Sequence, residues 1–296
     1  MRIMSDNSRG ALLMMGSMAA FTLNDTCMKF VMQEIPFFQA LLLRGIGASL
    51  ALLMLAWLLG GLKFNIPRRD WGLVALRTLS EVAATFFFLT ALMNIPIANA
   101  TAILQSLPLS VTLAAALLFG ERLGWRRLLA ILVGFIGVLI IVRPGMGDFN
   151  IFAIYAVIAV GFVTARDLAA RRLSAQVPSL TVAFIGACGV MGFASIGMIN
   201  TEWVAVDGSS AMVLAGAVLF ILFGYLFSVM TMRVGEISIV APFRYTALIW
   251  ALIMGFVVFG DWPDGLTILG ITIVVTMGMF TFYRERKLAC AEDVLG

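Results

Sequence analysis

The sequence predicts an all-α integral membrane protein, with ten transmembrane helices arranged as two inverted five-helix repeats. Three observations predict it. The 296-residue chain is 62% hydrophobic and only 12% charged, where a soluble domain is nearer half apolar and a quarter charged. Apolar runs of about 20 residues, enough helix to cross a bilayer core, recur ten times between turn signals. The Lys and Arg residues collect in alternate connections. The same composition excludes other classes. Without histidine the commonest metal ligand, the Ser-His and Cys-His nucleophile pairs and the usual proton shuttle are missing. Cys27, Cys188 and Cys290 show neither metal-ligand spacing nor a paired framework. No catalytic residue, metal site or cofactor is expected.

Taken in order, the spans fall at about 10–31, 37–60, 71–93, 98–119, 126–142, 150–170, 179–199, 211–232, 237–259 and 265–283. In the first, Ser17-Met18-Ala19 resembles a signal-peptidase site, but the run is too long for a signal core and carries Asp25 and Lys29, so it reads as a retained helix. Ile35-Pro36 separates it from the second, and Ile66-Pro67 introduces the third. The fourth contains Pro108 and stops at Gly120-Glu121; the fifth stops at Arg143-Pro144-Gly145. Val177-Pro178 divides the sixth from the seventh, and Asp207-Gly208 precedes the eighth. The ninth is interrupted by Pro242, and Trp262-Pro263-Asp264-Gly265 turns the chain into the tenth.

Charge fixes the orientation. With the amino terminus in the cytoplasm, that side holds Arg2, Arg9, Lys63, Arg68, Arg69, Arg122, Arg126, Arg127, Arg171, Arg172, Arg233, Arg284, Arg286 and Lys287, against Lys29 and Arg143 opposite. This positive-inside bias places Met1 and Gly296 both in the cytoplasm, on a multi-pass membrane protein. The net charge of +4 is an orientation signal, and no nucleic-acid partner is expected.

The halves repeat. Asp25, Lys29 and Pro36 recur as Asp167, Arg171 and Pro178, and Gly120-Glu121 recurs as Gly260-Asp261. Five spans per unit is odd, so the second unit, 144–296 with a short cytoplasmic tail, enters the membrane opposite to the first, 1–143. Inverted repeats build alternating-access transporters with a site near the midplane.

Several motifs then resemble one family. Asn24-Asp25 with Lys29, Arg44, Arg77, Leu107-Pro108, Phe119-Gly120-Glu121 and Val240-Ala241-Pro242-Phe243-Arg244-Tyr245 are similar to the drug/metabolite transporter superfamily, in its ten-helix branch with two EamA domains. The resemblance covers nearly the whole chain. The Asn-Asp pair, Asp167 and the Ala-Pro-Phe-Arg-Tyr segment look closest to S-adenosylmethionine-uptake members; related members carry riboflavin, amino acids or other metabolites. It implies secondary transport of a small organic metabolite without ATP, and no enzyme activity. An integral-membrane enzyme or a channel is the alternative class.

Ionisable side chains within spans are costly and face cavities or one another. Here they are Asp25, Arg44, Arg77, Glu81, Arg166, Asp167 and Arg244. Asp25 and Arg44 reach a similar depth, which predicts an ion pair under the outer gate. Arg77 and Glu81, four apart, share a helix face. Asp25, Arg44, Arg77, Glu81 and Asp167 are the coupling or gating candidates, with Asp25 and Glu81 as proton sites. Arg244, beside the turn loosened by Pro242 and flanked by Phe243 and Tyr245, suits a carboxylate, a phosphate or an electron-rich ring. With Trp250, Gln105 and Asn99 it outlines a substrate pocket for a planar heterocycle, riboflavin ahead of S-adenosylmethionine or an amino acid. Small-residue stripes at Ser106, Ser110, Ala114 and at Ala247, Ala251, Gly255 permit close helix approach within the chain or in a homodimer; lipid covers the rest.

Overall fold

The computed structural model describes residues 6–58, 62, 64, 66–120, 124–145, 150–174, 176–234 and 237–295. The expectations placed on Met1, Arg2, Lys63, Glu121, Arg122 and Gly296 lie outside them. Apolar runs bounded by proline and glycine become helices: α1 Asp6–Val31, α2 Phe37–Leu58, α3 Trp71–Asn94, α4 Ile97–Leu104, α5 Leu107–Phe119, α6 Trp125–Val142, α7 Ile151–Arg172, α8 Ser179–Gly197, α9 Gly208–Val234, α10 Ile237–Val240, α11 Thr246–Met254 and α12 Gly265–Leu295. Pro36, Pro96 and Pro178 stand just before α2, α4 and α8, where a missing N–H costs nothing.

The expected fourth span is broken into α4 and α5 around Gln105 and Ser106, just ahead of Pro108. The ninth is broken more severely. After α10 the chain tightens into a 3-10 turn over Ala241–Tyr245, continues as α11, and widens into a π turn at Gly255–Phe259. Both spans end on a left-handed glycine, Gly120 at φ 69° and Gly260 at φ 70°, a conformation that penalises any side chain. Beyond the expected tenth span, α12 continues as helix to Leu295.

Among the described residues nine helices are long and apolar enough to cross a membrane. The remaining expected span, α1, is long enough at 26 residues but diluted by Ser17, Thr22, Asn24, Thr26 and Lys29, all buried. It carries them because it packs along α9 and against α11, presenting polar groups to protein rather than lipid. Outward faces are apolar instead, with Leu50, Met54, Leu79, Leu117 and Met212 exposed. Trp57, Trp71 and Trp125 are exposed at one end of the bundle, and Trp203 and Trp262 at the other, the distribution of two interfacial belts. The first group shares its end with Arg68, Arg69, Arg126, Arg171 and Arg172, called below the arginine-rich end.

Helices pair across the halves. α1 lies along α9 and α3 along α7, while α2 meets α8 and α6 meets α12. Exchanging the halves turns the first contact into the second and maps the other two onto themselves, as an inverted repeat requires. The ends match as well. Lys29 of α1 stands 5.1 Å over the Phe259 ring, and Arg172 of α7 stands 4.1 Å over Phe119, each a cation–π contact. Both small-residue stripes serve the chain's own packing. Ser110 meets Thr164 of α7 at 2.7 Å, and a Cβ on Gly255 would come within 3.2 Å of Ile97.

At the far end, Arg143 closes α6 and reaches Asp264, which precedes α12, at 2.5 Å. Asp264 also accepts from the Thr267 N–H at 3.0 Å, capping α12. The hydrogen bond from Arg143, then that from Thr267, hold its carboxyl well below the ordinary range. A depressed carboxyl stabilises the fold above its unfolded value near 3.8 and loses that contribution as pH falls through the folded value. Asp264→Ala should therefore cost about 1 kcal/mol near neutrality. In thermal unfolding of the detergent-solubilised protein the deficit should stay constant from about pH 5 to 8 and shrink on further acidification; a deficit that grows in acid would contradict the assignment.

Candidate functional site

Helices α2, α3, α8 and α9 enclose a mid-membrane cavity of about 40 Å³, room for a few waters. Its polar lining is Arg44, Arg77, Glu81, Thr85 and Tyr225. Glu81 lies about 15 Å along α3 from Trp71, near the middle of the span. Small residues opposite, among them Gly45, Ala48 and Gly186, leave the space these long side chains enter.

The charges form a chain across helices. Arg77 reaches Glu81 at 3.7 Å, the pair expected from their spacing. Glu81 also accepts from Arg166 Nη1 of α7 at 3.3 and 3.4 Å, and Arg166 Nε donates to Asp167 at 2.9 Å. Arg77 gives a further hydrogen bond to the Val182 carbonyl of α8 at 3.4 Å. Glu81 thus joins α3 to α7, a link the spacing alone did not show.

Asp25 and Arg44 depart from expectation. They form no ion pair: Asp25 accepts from Asn24 Nδ2 at 2.9 Å, while Arg44 points into the cavity. Arg44 lies within electrostatic reach of Tyr225, Asp25 and Glu81 but makes no hydrogen bond or ion pair among the described residues. Equal depth put the two on one level, yet depth says nothing about the direction in which each helix face points. Tyr225, absent from the sequence reading, stands edge-on to Phe21 at 5.5 Å and borders the cavity. Its signal was available: it is one of four tyrosines, in mid-span, where a phenol needs a partner.

The residues expected to hold substrate gather elsewhere. Gln105 Nε2 donates to the Arg244 carbonyl at 2.7 Å, so the break in the fourth span satisfies a backbone acceptor at the break in the ninth. Tyr245 is buried against Gly278 and edge-on to Phe282 of α12. Arg244 has Asp167 and Arg166 as its charged neighbours. Phe243, Trp250 and Asn99 are half-buried, and none of these six borders the cavity.

Apolar packing flanks the cavity towards both ends of the bundle. Towards the end away from the arginines, Phe86 meets Phe37 and Phe193 edge-on, each at 5.8 Å, and Phe38 meets Phe193 at 5.8 Å. At the arginine-rich end Ile66, Val74, Val177 and Val182 form a buried apolar cluster, beside buried Asp70, which accepts from Ser174.

Comparison with known proteins agrees with this architecture. Residues 8–143 match the EamA-like transporter family. The chain is 26% identical over 195 residues to the S-adenosylmethionine uptake transporter of Rickettsia prowazekii, an alignment covering 65% of each chain, just under two thirds of that relative's length. It is 28% identical over 229 residues to the riboflavin transporter of Vibrio cholerae, covering 77% of this chain and 76% of that one. A pseudopaline exporter of Pseudomonas aeruginosa is 27% identical over 188 residues, covering 62% and 66%. One solved crystal structure superposes with a TM-score of 0.67 at 18% identity, covering 95% of this chain and 99% of that one, a likeness of fold. The resemblance read from the motifs is borne out.

Removing one member of a partly buried charge network leaves the others short of a partner, at about 1 to 3 kcal/mol. Glu81→Gln, which leaves both Arg77 and Arg166 without their shared acceptor, should therefore destabilise more than Asp167→Asn. Adding Arg77→Gln, which removes the cation left without its carboxylate, to Glu81→Gln should recover part of the loss. Thermal unfolding of the purified variants checks this, and strictly additive losses would contradict the network.

Proposed function

With residues 8–143 matched to the EamA-like transporter family, we propose that the chain is a secondary transporter, not an enzyme, that carries a small organic metabolite across a bacterial inner membrane by alternating access. The observation that carries this reading is the charged cavity, enclosed mid-membrane by helices of both halves. Ionised groups there cost a few kcal/mol each, and a merely structural bundle has no use for them. The two units run 1–143 and 144–296. The arginine-rich end faces the cytoplasm, as the positive-inside bias supports, and both termini lie on that side.

The cargo reading follows the cavity's chemistry. Relatives named for S-adenosylmethionine uptake and riboflavin transport supply the two probes. The rings expected to stack a flavin, Phe243, Tyr245 and Trp250, lie outside the cavity, whose lining is charged and hydroxylic. An ionised metabolite of the S-adenosylmethionine type is the first reading. Riboflavin is the second, supported by the Vibrio cholerae relative. Asp25, held by Asn24 alone and within electrostatic reach of Arg44, is the group that exchanges a proton during the cycle.

Proteoliposomes loaded with labelled candidates test this. Saturable S-adenosylmethionine uptake, accelerated by unlabelled substrate on the far side, is expected; saturable riboflavin uptake alone would install the second reading, and non-saturable flux of either would mean a channel. Asp25→Asn should abolish accumulation driven by a pH gradient, lowering it about tenfold or more, while exchange continues. Uphill accumulation by that variant would remove Asp25 from coupling.

A further inference from the structure

We propose that Arg44, with Arg77 beside it, is the docking point for a carboxylate of the cargo, so that the cavity selects substrates that carry one. The inference rests on the transport reading above. Four arginines, Arg44, Arg77, Arg166 and Arg244, stand in or next to the cavity against three carboxylates, Asp25, Glu81 and Asp167. Each carboxylate is already held: Glu81 by Arg77 and Arg166, Asp167 by Arg166, and Asp25 by Asn24. One positive charge is left over in a region where an unbalanced charge is costly.

Geometry locates that surplus. Arg244 lies outside the cavity, whereas Arg44 lines it and gives none of its five guanidinium hydrogens to an acceptor among the described residues. The walls around it are small, Gly45, Ala48, Ala51 and Gly186, so the space in front of the guanidinium is held open by sequence rather than by chance rotamers. Arg77 and the Tyr225 phenol border the same space and supply further donors. A planar carboxylate accepts two parallel hydrogen bonds from a guanidinium fork. At about 40 Å³ the cavity takes a carboxylate-sized group and not a whole metabolite, so the rest of the cargo enters as the helices part. One unpartnered guanidinium calls for one carboxylate on the cargo, whatever charges the rest of the molecule carries.

Uptake into proteoliposomes is compared for S-adenosylmethionine, its carboxyl methyl ester and its decarboxylated analogue, with the wild type, Arg44→Gln and Arg44→Lys. The wild type should favour the free acid over both analogues by about tenfold or more, the weight of a charge-assisted hydrogen-bonded pair. Arg44→Gln should bring that ratio close to unity, and Arg44→Lys, which keeps the charge without the fork, should give an intermediate ratio. Thermal stabilisation of the purified variants by the three compounds repeats the comparison wherever uptake is too slow to measure. Equal handling of acid and ester by the wild type, or undiminished preference in Arg44→Gln, overturns the carboxylate site while leaving transport standing. Transport of riboflavin with no response to S-adenosylmethionine overturns it too, because riboflavin carries no carboxylate for Arg44 to hold. Absence of saturable transport of any probe instead removes the reading on which the site rests, and the site with it.

Discussion

Seven ionised side chains must be kept away from hydrocarbon, and the architecture answers to that constraint. A charge in lipid is costly, and desolvation is offset only by close partners and further hydrogen bonds. The chain meets the requirement by distributing the groups over several spans and letting the halves bring them together. Glu81 of α3 becomes tolerable because α3 lies along α7, which delivers Arg166. Arg166 in turn holds Asp167. The arrangement fails unless the first half faces the second.

Two of the spans are interrupted near the centre of the bundle. Span four is interrupted before Pro108 and span nine around Pro242, each freeing backbone groups that a continuous helix would use. Gln105 repairs one such loss by bonding the Arg244 carbonyl, so the two interruptions are joined. The ends are held by contacts of limited extent: phenylalanines on one side, a small valine and isoleucine cluster on the other, and a cation over an aromatic ring at each. A fold with a strong middle layer of charge and lightly fastened ends is suited to opening one end at a time around a fixed site.

Much of this was legible in the sequence. Run lengths and proline positions placed nearly every helix to within a few residues, because a bilayer leaves the backbone little alternative to helix. Pro108 and Pro242 announced the disturbances in their spans. Helical spacing correctly put Arg77 and Glu81 on one face. Spacing cannot say what lies opposite a face, however. Asp25 and Arg44 share a depth without sharing a contact, and the bond from Arg166 to Glu81 joins residues 85 apart in sequence. For the same reason the aromatic residues of 243–250 read as a pocket, whereas Tyr245 turns towards α12. Lys29, read as one of two exceptions to the charge bias, proves to be buried and to donate to the Ile95 carbonyl at 2.6 Å.

The central claim is that one charged cavity is reached in turn from both faces of the membrane. Ala187 borders it on α8. With Cys27, Cys188 and Cys290 replaced by serine, Ala187→Cys in sealed vesicles of known orientation can be challenged with a membrane-impermeant maleimide from either side. Labelling from each side, at rates that shift in opposite directions when S-adenosylmethionine is supplied on one side, is the result expected. Labelling confined to one face under every condition would show that the cavity is a static charge cluster and contradict the account.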